Sequence, residues 1–408
     1  MMENTLVGKK NVLICIDEQV TLYKNLDYIK ENFYGTVLTK VDELKSYDFK
    51  PETICYILGS VGAVYDYIQN KDNKIICAVR ELSHDHLDSF NYVDVGELPM
   101  NIHDIGIFFR KFYNPEINYF DLIKSEHKFQ ALTESNKQTD AFRKGIYLTD
   151  VTNGEQGIEY NLLRCSTNLK GPTDCFRTTD RNIIDKLNCI IKYFYKEKVC
   201  LNHVLAQIYE NSTTAGANGS MQKKAKISQH SDKTKDMPRN ALMAFCTFYK
   251  GLNDGSLKNV KRSADCMYDY VYNKTSVLTK LRFRLKGMIT DPKYVKEFEI
   301  TLYPGSVFIM SLETNRLYTH EIVPSVLPVD KIPTRLGYVV RCSDTKALFT
   351  DKAYVQTTDG MVCLRNPTEE DIAKLKSNYR DENSSDRVID YGNVDFSLND
   401  GDYMKPYI

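Results

Sequence analysis

The sequence predicts an α+β protein: a double-stranded β-helix, or jelly-roll, preceded by a small α/β domain with a parallel sheet. Two patterns carry that prediction. Between residues 10 and 113, apolar strand-like runs alternate with stretches of helical spacing, as in a parallel sheet covered by helices. Beyond residue 140, one long amphipathic helix is followed by many short apolar runs separated by turn residues, the pattern of two antiparallel layers. A chain of 408 residues is long for one core and natural for two. The expected division is 1–115 for the α/β domain, 116–140 for a polar linker, 141–365 for the jelly-roll, and 366–408 for a short helix and a poorly ordered polar tail.

In chain order, Asn11 to Ile16 is a continuous apolar run and reads as a buried strand. Val20, Leu22, Leu26, Ile29 and Phe33 have helical spacing. Residues 35–41, 53–58 and 74–79 read as further strands, with a short helix over 64–68. Gly59-Ser-Val-Gly62 follows the third of these strands, but it lacks the Lys-Ser/Thr of a phosphate loop and the third glycine of a dinucleotide fingerprint. It reads as a strand-to-helix turn. His84-Asp-His86-Leu-Asp88 has metal-ligand spacing but reads as a loop.

In the second half, 145–150 and 160–164 read as strands. The polar loop 165–179, with its Gly171-Pro172 turn signal, is expected over a site mouth or on open surface, and Arg164 and Arg177 are its residues to test. The clearest helix runs from Asp180 to Lys196, with Ile183, Ile184, Leu187, Ile190, Ile191 and Phe194 as its apolar stripe. Strands follow at 202–209, 241–249, 277–286, 297–302 and 306–310. A small polar stretch lies at 211–220 and an insertion at 250–275. After Arg341 a hairpin over 352–364 and a helix from Thr368 to Tyr379 complete the reading.

Composition excludes some classes. Lys+Arg and Asp+Glu both number 54, so net charge argues neither for nor against nucleic acid. No apolar run is long enough to span a membrane, and the N-terminus lacks a signal-peptide core. The 11 cysteines are scattered, without a Cys-X-X-Cys pair, which suits reduced thiols. The expectation is a cytoplasmic or nuclear protein that is not secreted.

The chemistry concentrates around His230 and Asp232. On an extended segment, residues i and i+2 face the same way, so one nitrogen and one carboxylate oxygen can reach a common ion. His320, just past the apolar run 306–310, is the candidate third ligand. Two histidines and one carboxylate form the facial triad of non-haem Fe(II) oxygenases. Arg335-Leu-Gly-Tyr-Val-Val-Arg341 then supplies a planar fork suited to a carboxylate at each end of an apolar strand.

His-X-Asp, a distant His and then Arg-X5-Arg resembles the Fe(II)/2-oxoglutarate-dependent dioxygenases, and within them the AlkB-like branch. Gln207-Ile-Tyr209 stands where AlkB-like proteins carry Asn-X-Tyr, with glutamine as a departure. The resemblance spans about residues 140 to 350. It implies a jelly-roll and Fe(II) held by His230, Asp232 and His320. It also implies 2-oxoglutarate as co-substrate, its far carboxylate on Arg335 and on the Tyr209 hydroxyl, with Gln207 near it and Arg341 bracing Asp232 or the near carboxylate. Succinate and CO2 would be released as a C–H bond is oxidised.

The AlkB-like branch further implies a methylated base in single-stranded nucleic acid as substrate. Two basic stretches suit that partner. One is Lys223, Lys224, Lys226, Lys233, Lys235 and Arg239. The other is Lys258, Lys261, Arg262, Lys280, Arg282, Arg284 and Lys286, with Tyr268, Tyr270 and Tyr272 interleaved. The alternatives are a protein substrate, hydroxylated on a side chain, and a catalytically inactive jelly-roll that serves as a binding module.

Overall fold

The computed structural model describes residues 10–16, 23, 25–68, 75–84, 90–134, 137–166, 168–196, 199–216, 219–252 and 254–408. The alternation near the N-terminus becomes a five-stranded sheet, ordered Thr36–Leu38, Asn11–Cys15, Ile54–Ser60, Ile75–His84, Asn91–Val93. All its neighbours are parallel. The helices Leu26–Asn32, Val41–Ser46 and Val61–Ile68 accompany it. Its strands are apolar at successive positions because both faces are covered. Val12, Ile14 and Ile57 pack on one side, while Leu13, Tyr56 and Leu58 on the other join the main core of the protein. Val20 and Leu22 of the first helical spacing, and His86 and Asp88, lie outside the described residues.

Two layers, antiparallel except where Asp174–Cys175 runs parallel to Lys137–Thr149, follow and are consistent with a jelly-roll-like fold. The larger runs Asp174–Cys175, Lys137–Thr149, His203–Tyr209, Thr334–Arg341, Leu242–Lys250, Val307–Ser311, Gly106–Phe109, Met100–Ile102, with Gln130–Glu134 paired to the side of Lys137–Thr149. The smaller runs Ile227–His230, Tyr318–Val323, Lys280–Leu285, Glu297–Thr301. They pack face to face: Phe245 meets His320 at 5.5 Å between ring centroids, and Phe283 meets Phe308 at 5.4 Å. A third antiparallel sheet, from Val151–Gly154 to Gly360–Cys363, has its own core around Val151, Ile158 and Val355.

Three expectations about layout need correction. The strands Met100–Ile102 and Gly106–Phe109, expected within the α/β domain, are the edge of the larger jelly-roll sheet. The 116–140 linker instead holds the helix Tyr119–Glu126, which buries Phe120 and Ile123, and the strand Gln130–Glu134. Its polar residues cap and pair these elements, which is why composition alone read as a linker. Nor is the C-terminal region a loose tail. Thr368 and Asp371 form a reciprocal capping box, and the helix runs Glu369–Ser384, well beyond Tyr379.

The residues after that helix are pinned by polar contacts as well as by a small apolar cluster of Phe396 on Leu375 and Tyr379. Arg164 donates at 2.8 Å to the carbonyls of both Val394 and Phe396. Gly401 lies so close to Gly171 that a Cβ there would sit 1.8 Å from the Gly171 carbonyl oxygen, so only glycine fits. Arg164 is buried and also paired with Asp236 at 2.6 Å, so it is a structural clamp and not a residue of the site mouth. Arg177 likewise serves its own helix start, donating to Asp174 at 2.8 Å.

Candidate metal centre

Register brings the two histidines together. Ile227–His230 and Tyr318–Val323 are antiparallel neighbours in which His230 stands directly opposite His320. Cross-strand partners on one face have their side chains in contact, and the two rings lie 4.5 Å apart. The chain leaves the strand after His230, and Asn315 catches it: Asp232 N donates to Asn315 Oδ1 at 2.8 Å, and Asn315 Nδ2 donates to the Asp232 carbonyl at 2.9 Å. Asn315 belongs to the turn of helix Leu312–Leu317 that precedes the His320 strand, so one short element positions two of the three candidate ligands.

The carboxylate is oriented by division of labour between its oxygens. Arg341 donates to Asp232 Oδ2 from Nη2 at 2.7 Å and from Nε at 3.0 Å. Oδ1 is left facing His230 Nε2 at 3.5 Å and His320 Nε2 at 3.9 Å. Burial would raise the Asp232 pKa, but the Arg341 guanidinium and the nearby imidazoles outweigh it and hold the carboxyl well below its usual range. His230 Nδ1 lies 2.9 Å from the Ser228 carbonyl. An N–H there fixes the tautomer whose Nε2 lone pair is free, the usual arrangement for an imidazole that binds a metal.

These residues fit a divalent metal. His320 is 3 % exposed, and burial, with His230 next, pushes its pKa down to about 3, so the ring is neutral. Its Nδ1 has no hydrogen-bond partner among the described residues, and its Nε2 is too far from Asp232 for a hydrogen bond. A buried imidazole nitrogen left without a partner is costly as protein alone. The three ligand atoms lie within 4.8 Å of one another, the spacing of groups around one ion. Two nitrogens and one carboxylate oxygen suit Fe(II) or a similar transition metal and leave other coordination positions free.

Glu126, His127 and Asp180 are also close enough to hold an ion. Their electrostatics point the other way. His127 Nδ1 lies 2.8 Å from Asp174 and Nε2 lies 2.7 Å from Asp180. Burial alone would depress its pKa, but the hydrogen bonds to Asp174 and Asp180 lift it to about 9, so an ion there would have to displace a proton already shared with a carboxylate. This triad is a clamp joining the Thr178–Ile191 helix to the preceding segment. Because the folded pKa lies above the ordinary value of 6.5, its stabilisation is complete below about pH 6.5 and is lost as pH rises through 9. Lys235 and Lys286, pushed down to about 8 by burial, contribute the opposite sign above that pH. The His127 part is therefore read as a difference. Unfolding of wild type and His127→Gln at pH 6 and pH 9.5 should show the wild-type advantage shrinking by on the order of 3 kcal/mol. An advantage that does not change with pH would contradict the clamp.

Both candidate co-substrate arginines are on the same strand face. Arg335 and Arg341 line a cavity of about 1700 Å³, together with Asp232, His230, His320 and Tyr209. The register of Thr334–Arg341 with both neighbours is unbroken, so six residues of separation keep the two side chains on one side. Arg335 is 4 % exposed, its Nε is unbonded, and no acid faces it among the described residues. Its guanidinium lies over the Tyr209 ring, 4.1 Å from the centroid. It folds back along the strand above Gly337, where a Cβ would be 3.0 Å from both terminal nitrogens. The Tyr209 hydroxyl donates to Gln207 Oε1 at 3.2 Å. In this state Tyr209 supports Arg335 with its ring, and its hydroxyl is directed to Gln207.

Three features were not read from the sequence. One face of the Glu369–Ser384 helix, through Ile372, Lys376, Tyr379 and Arg380, walls the cavity. Asn383 on that helix accepts from Ser231 N at 2.7 Å, tying the wall to the metal loop. Arg143 also lines the cavity, from the strand that pairs with His203–Tyr209. Cys165, Ser166 and Asn168 show that the start of the 165–179 loop does reach the site.

The second half of the second basic stretch, Lys280 to Lys286, is occupied internally, while Lys258, Lys261 and Arg262 are exposed. Arg282 pairs with Glu299 at 2.5 Å and Glu321 at 3.1 Å, Arg284 with Glu297 at 2.8 Å, and Lys280 with Glu299 at 2.6 Å. Lys286 is buried on three backbone carbonyls. The first stretch is split. Lys235 is bonded to Asp236 at 3.0 Å and Lys224 to the Ser325 carbonyl at 2.8 Å, while Lys223, Lys226 and Lys233 line the cavity. Among the described residues no helix is long and apolar enough to cross a membrane.

No protein-family model matches the chain, and no curated protein matches it by sequence. Among solved structures it is similar to SnoN, the non-haem alpha-ketoglutarate-dependent epimerase of nogalamycin biosynthesis, at 8% identity and a TM-score of 0.31, over 60% of this chain and 81% of that one. It is also similar to a Pseudomonas putida prolyl-4-hydroxylase at 10% identity and a TM-score of 0.30, over 58% of this chain and 90% of that one. At such scores neither likeness decides function.

Proposed function

We propose that this chain is an Fe(II)- and 2-oxoglutarate-dependent oxygenase. The observation that carries this reading is a His–Asp–His set, with Asp232 and His320 buried, in the same cavity as an arginine that has no acid to pair with among the described residues. Arg341 completes the Asp232 charge, so the metal meets a carboxylate whose second oxygen is already held. Arg335 is placed for the far carboxylate of a dicarboxylic acid, a bidentate match for its fork.

Bound iron supplies the activation of dioxygen. In the overall reaction one oxygen atom goes to succinate as CO2 leaves, and the other goes to the substrate, converting C–H to C–OH. The protein's part is positional. His230, Asp232 and His320 leave coordination positions free on the cavity side. Phe245 and Phe283 pack on His320 and keep water from that ring, at centroid distances of 5.5 Å and 5.8 Å. Arg335, held by Tyr209 and given room by Gly337, sets the direction from which the co-substrate enters.

The test is metal analysis with a co-substrate turnover assay on wild type and His230→Ala. Wild type should hold about one equivalent of iron and release succinate from 2-oxoglutarate, and the variant should lose both. Full iron retention by the variant would count against the reading. The variant's fold is checked by its far-UV spectrum, since His230 is partly exposed and outside the core.

A further inference from the structure

We infer that the primary substrate is a compact phosphate-bearing molecule, gripped by Arg143 with Lys223 and Lys226 on the side of Tyr209 away from Arg335. This rests on the proposed function, because that reading assigns Arg335 to the co-substrate and Arg341 to Asp232.

The first observation is charge. Asp232 is the one carboxylate among the described residues that line the cavity. With Arg335 and Arg341 assigned, Arg143, Lys223, Lys226, Lys233, Lys376 and Arg380 remain, and none has an acidic partner among the described residues. The chain as a whole is neutral, so this excess is local to the cavity. A divalent metal adds two positive charges and dianionic 2-oxoglutarate removes two, so loading the site leaves the excess in place.

The second observation is placement. Arg143 stands opposite Tyr209 in the antiparallel register, and Tyr209 stands opposite Arg335 on its other side. By register the three residues form a row across one sheet face, with Tyr209 between the two arginines and the Arg335 guanidinium over its ring. Arg143 is 9 % exposed and its Nε is buried without a partner. Burying a cation without an anion is expensive, and two in one row need two anions. Phe142, just before it, has a left-handed backbone (φ 51), a conformation disfavoured for a bulky residue and concentrated at functional sites. Lys223 lies over the Phe142 ring at 4.9 Å, which brings its ammonium to the same corner.

The third observation limits size. Arg284, which donates to Gln229 at the cavity rim, sits on the strand face where Lys280, Arg282 and Arg284 are paired with glutamates. A polymer of phosphates running out of the cavity across that face would meet carboxylates. On that face the positive charge is already paired, whereas Arg143, Lys226, Lys376 and Arg380 in the cavity have no acidic partner among the described residues. That favours a molecule held inside over an extended nucleic acid strand.

The experiment is calorimetric titration of phenyl phosphate into the full-length protein, with and without saturating 2-oxoglutarate. Wild type should bind phenyl phosphate with the co-substrate present. Arg143→Gln should weaken that binding about tenfold or more, and Arg143→Lys less, while 2-oxoglutarate affinity stays within about twofold. Lys223→Gln and Lys226→Gln should each cost about threefold. Unchanged phenyl phosphate binding in Arg143→Gln would overturn the assignment, as would displacement of phenyl phosphate by 2-oxoglutarate. Isophthalate binding as tightly would overturn the phosphate preference, and a ten-residue oligothymidylate binding more than tenfold tighter would overturn the compact substrate. If wild type fails to bind 2-oxoglutarate, the proposed function falls, and the titration without it still reads the Arg143 site alone.

Discussion

Asp232→Ala is expected to lose the metal and to destabilise the protein by about 3–5 kcal/mol. The two effects share one cause. Asp232 is 6 % exposed and holds Arg341, itself 4 % exposed, through two hydrogen bonds. Removing the carboxylate leaves a guanidinium buried without its counter-ion, and the cost of an uncompensated charge exceeds the worth of the pair. It also removes the only anionic group of the three candidate ligands. Metal affinity should fall by at least about 100-fold, since even an outer partner of a ligand is worth 10–100-fold. Chemical unfolding and metal analysis of the same sample check both. A variant that loses metal but keeps wild-type stability would mean that Arg341 finds another partner.

Arg335→Gln is expected to weaken 2-oxoglutarate by about 10–100-fold, the worth of charge-assisted hydrogen bonds of roughly 1.5–3 kcal/mol. Metal content should not change, because Arg335 touches none of the three ligands. Gly337→Ala is the subtler companion. Its new methyl would lie 3.0 Å from both guanidinium nitrogens, closer than ordinary contact, so the arginine must swing away while its charge remains. A smaller loss, about three- to tenfold, is expected there, with metal again intact. Co-substrate titration of both variants reads the effect. Equal affinity in wild type and Arg335→Gln would remove Arg335 from the co-substrate site.

Much of the candidate site was legible because its candidate ligands are chemically distinctive and two of them are close in sequence. His230 and Asp232 announce themselves by spacing, and an even separation put Arg335 and Arg341 on one face before any coordinates. What spacing cannot give is register. Arg143 reaches the cavity only because Lys137–Thr149 pairs with His203–Tyr209, a contact over some sixty residues that no local pattern encodes. Charge misled for a related reason. Lys280, Arg282 and Arg284 looked like a basic track because the sequence shows charges and not partners. A signal did exist: Glu297 and Glu299 repeat the same period of two, as expected for a facing antiparallel strand. The C-terminal region misled by its polarity. Its apolar anchors, Phe396 on Leu375 and Tyr379, are few and spread among polar residues, and Arg164 and the glycine contact add anchors that hydropathy does not register.

The central claim is convergence on one ion, and anomalous diffraction from crystals grown with Fe(II) or Mn(II) under anaerobic conditions tests it most directly. The account predicts a single strong peak at bonding distance, about 2.0–2.2 Å, from His230 Nε2, Asp232 Oδ1 and His320 Nε2. A peak elsewhere, at Glu126 and Asp180 for instance, or no peak at all with metal in excess, would contradict it.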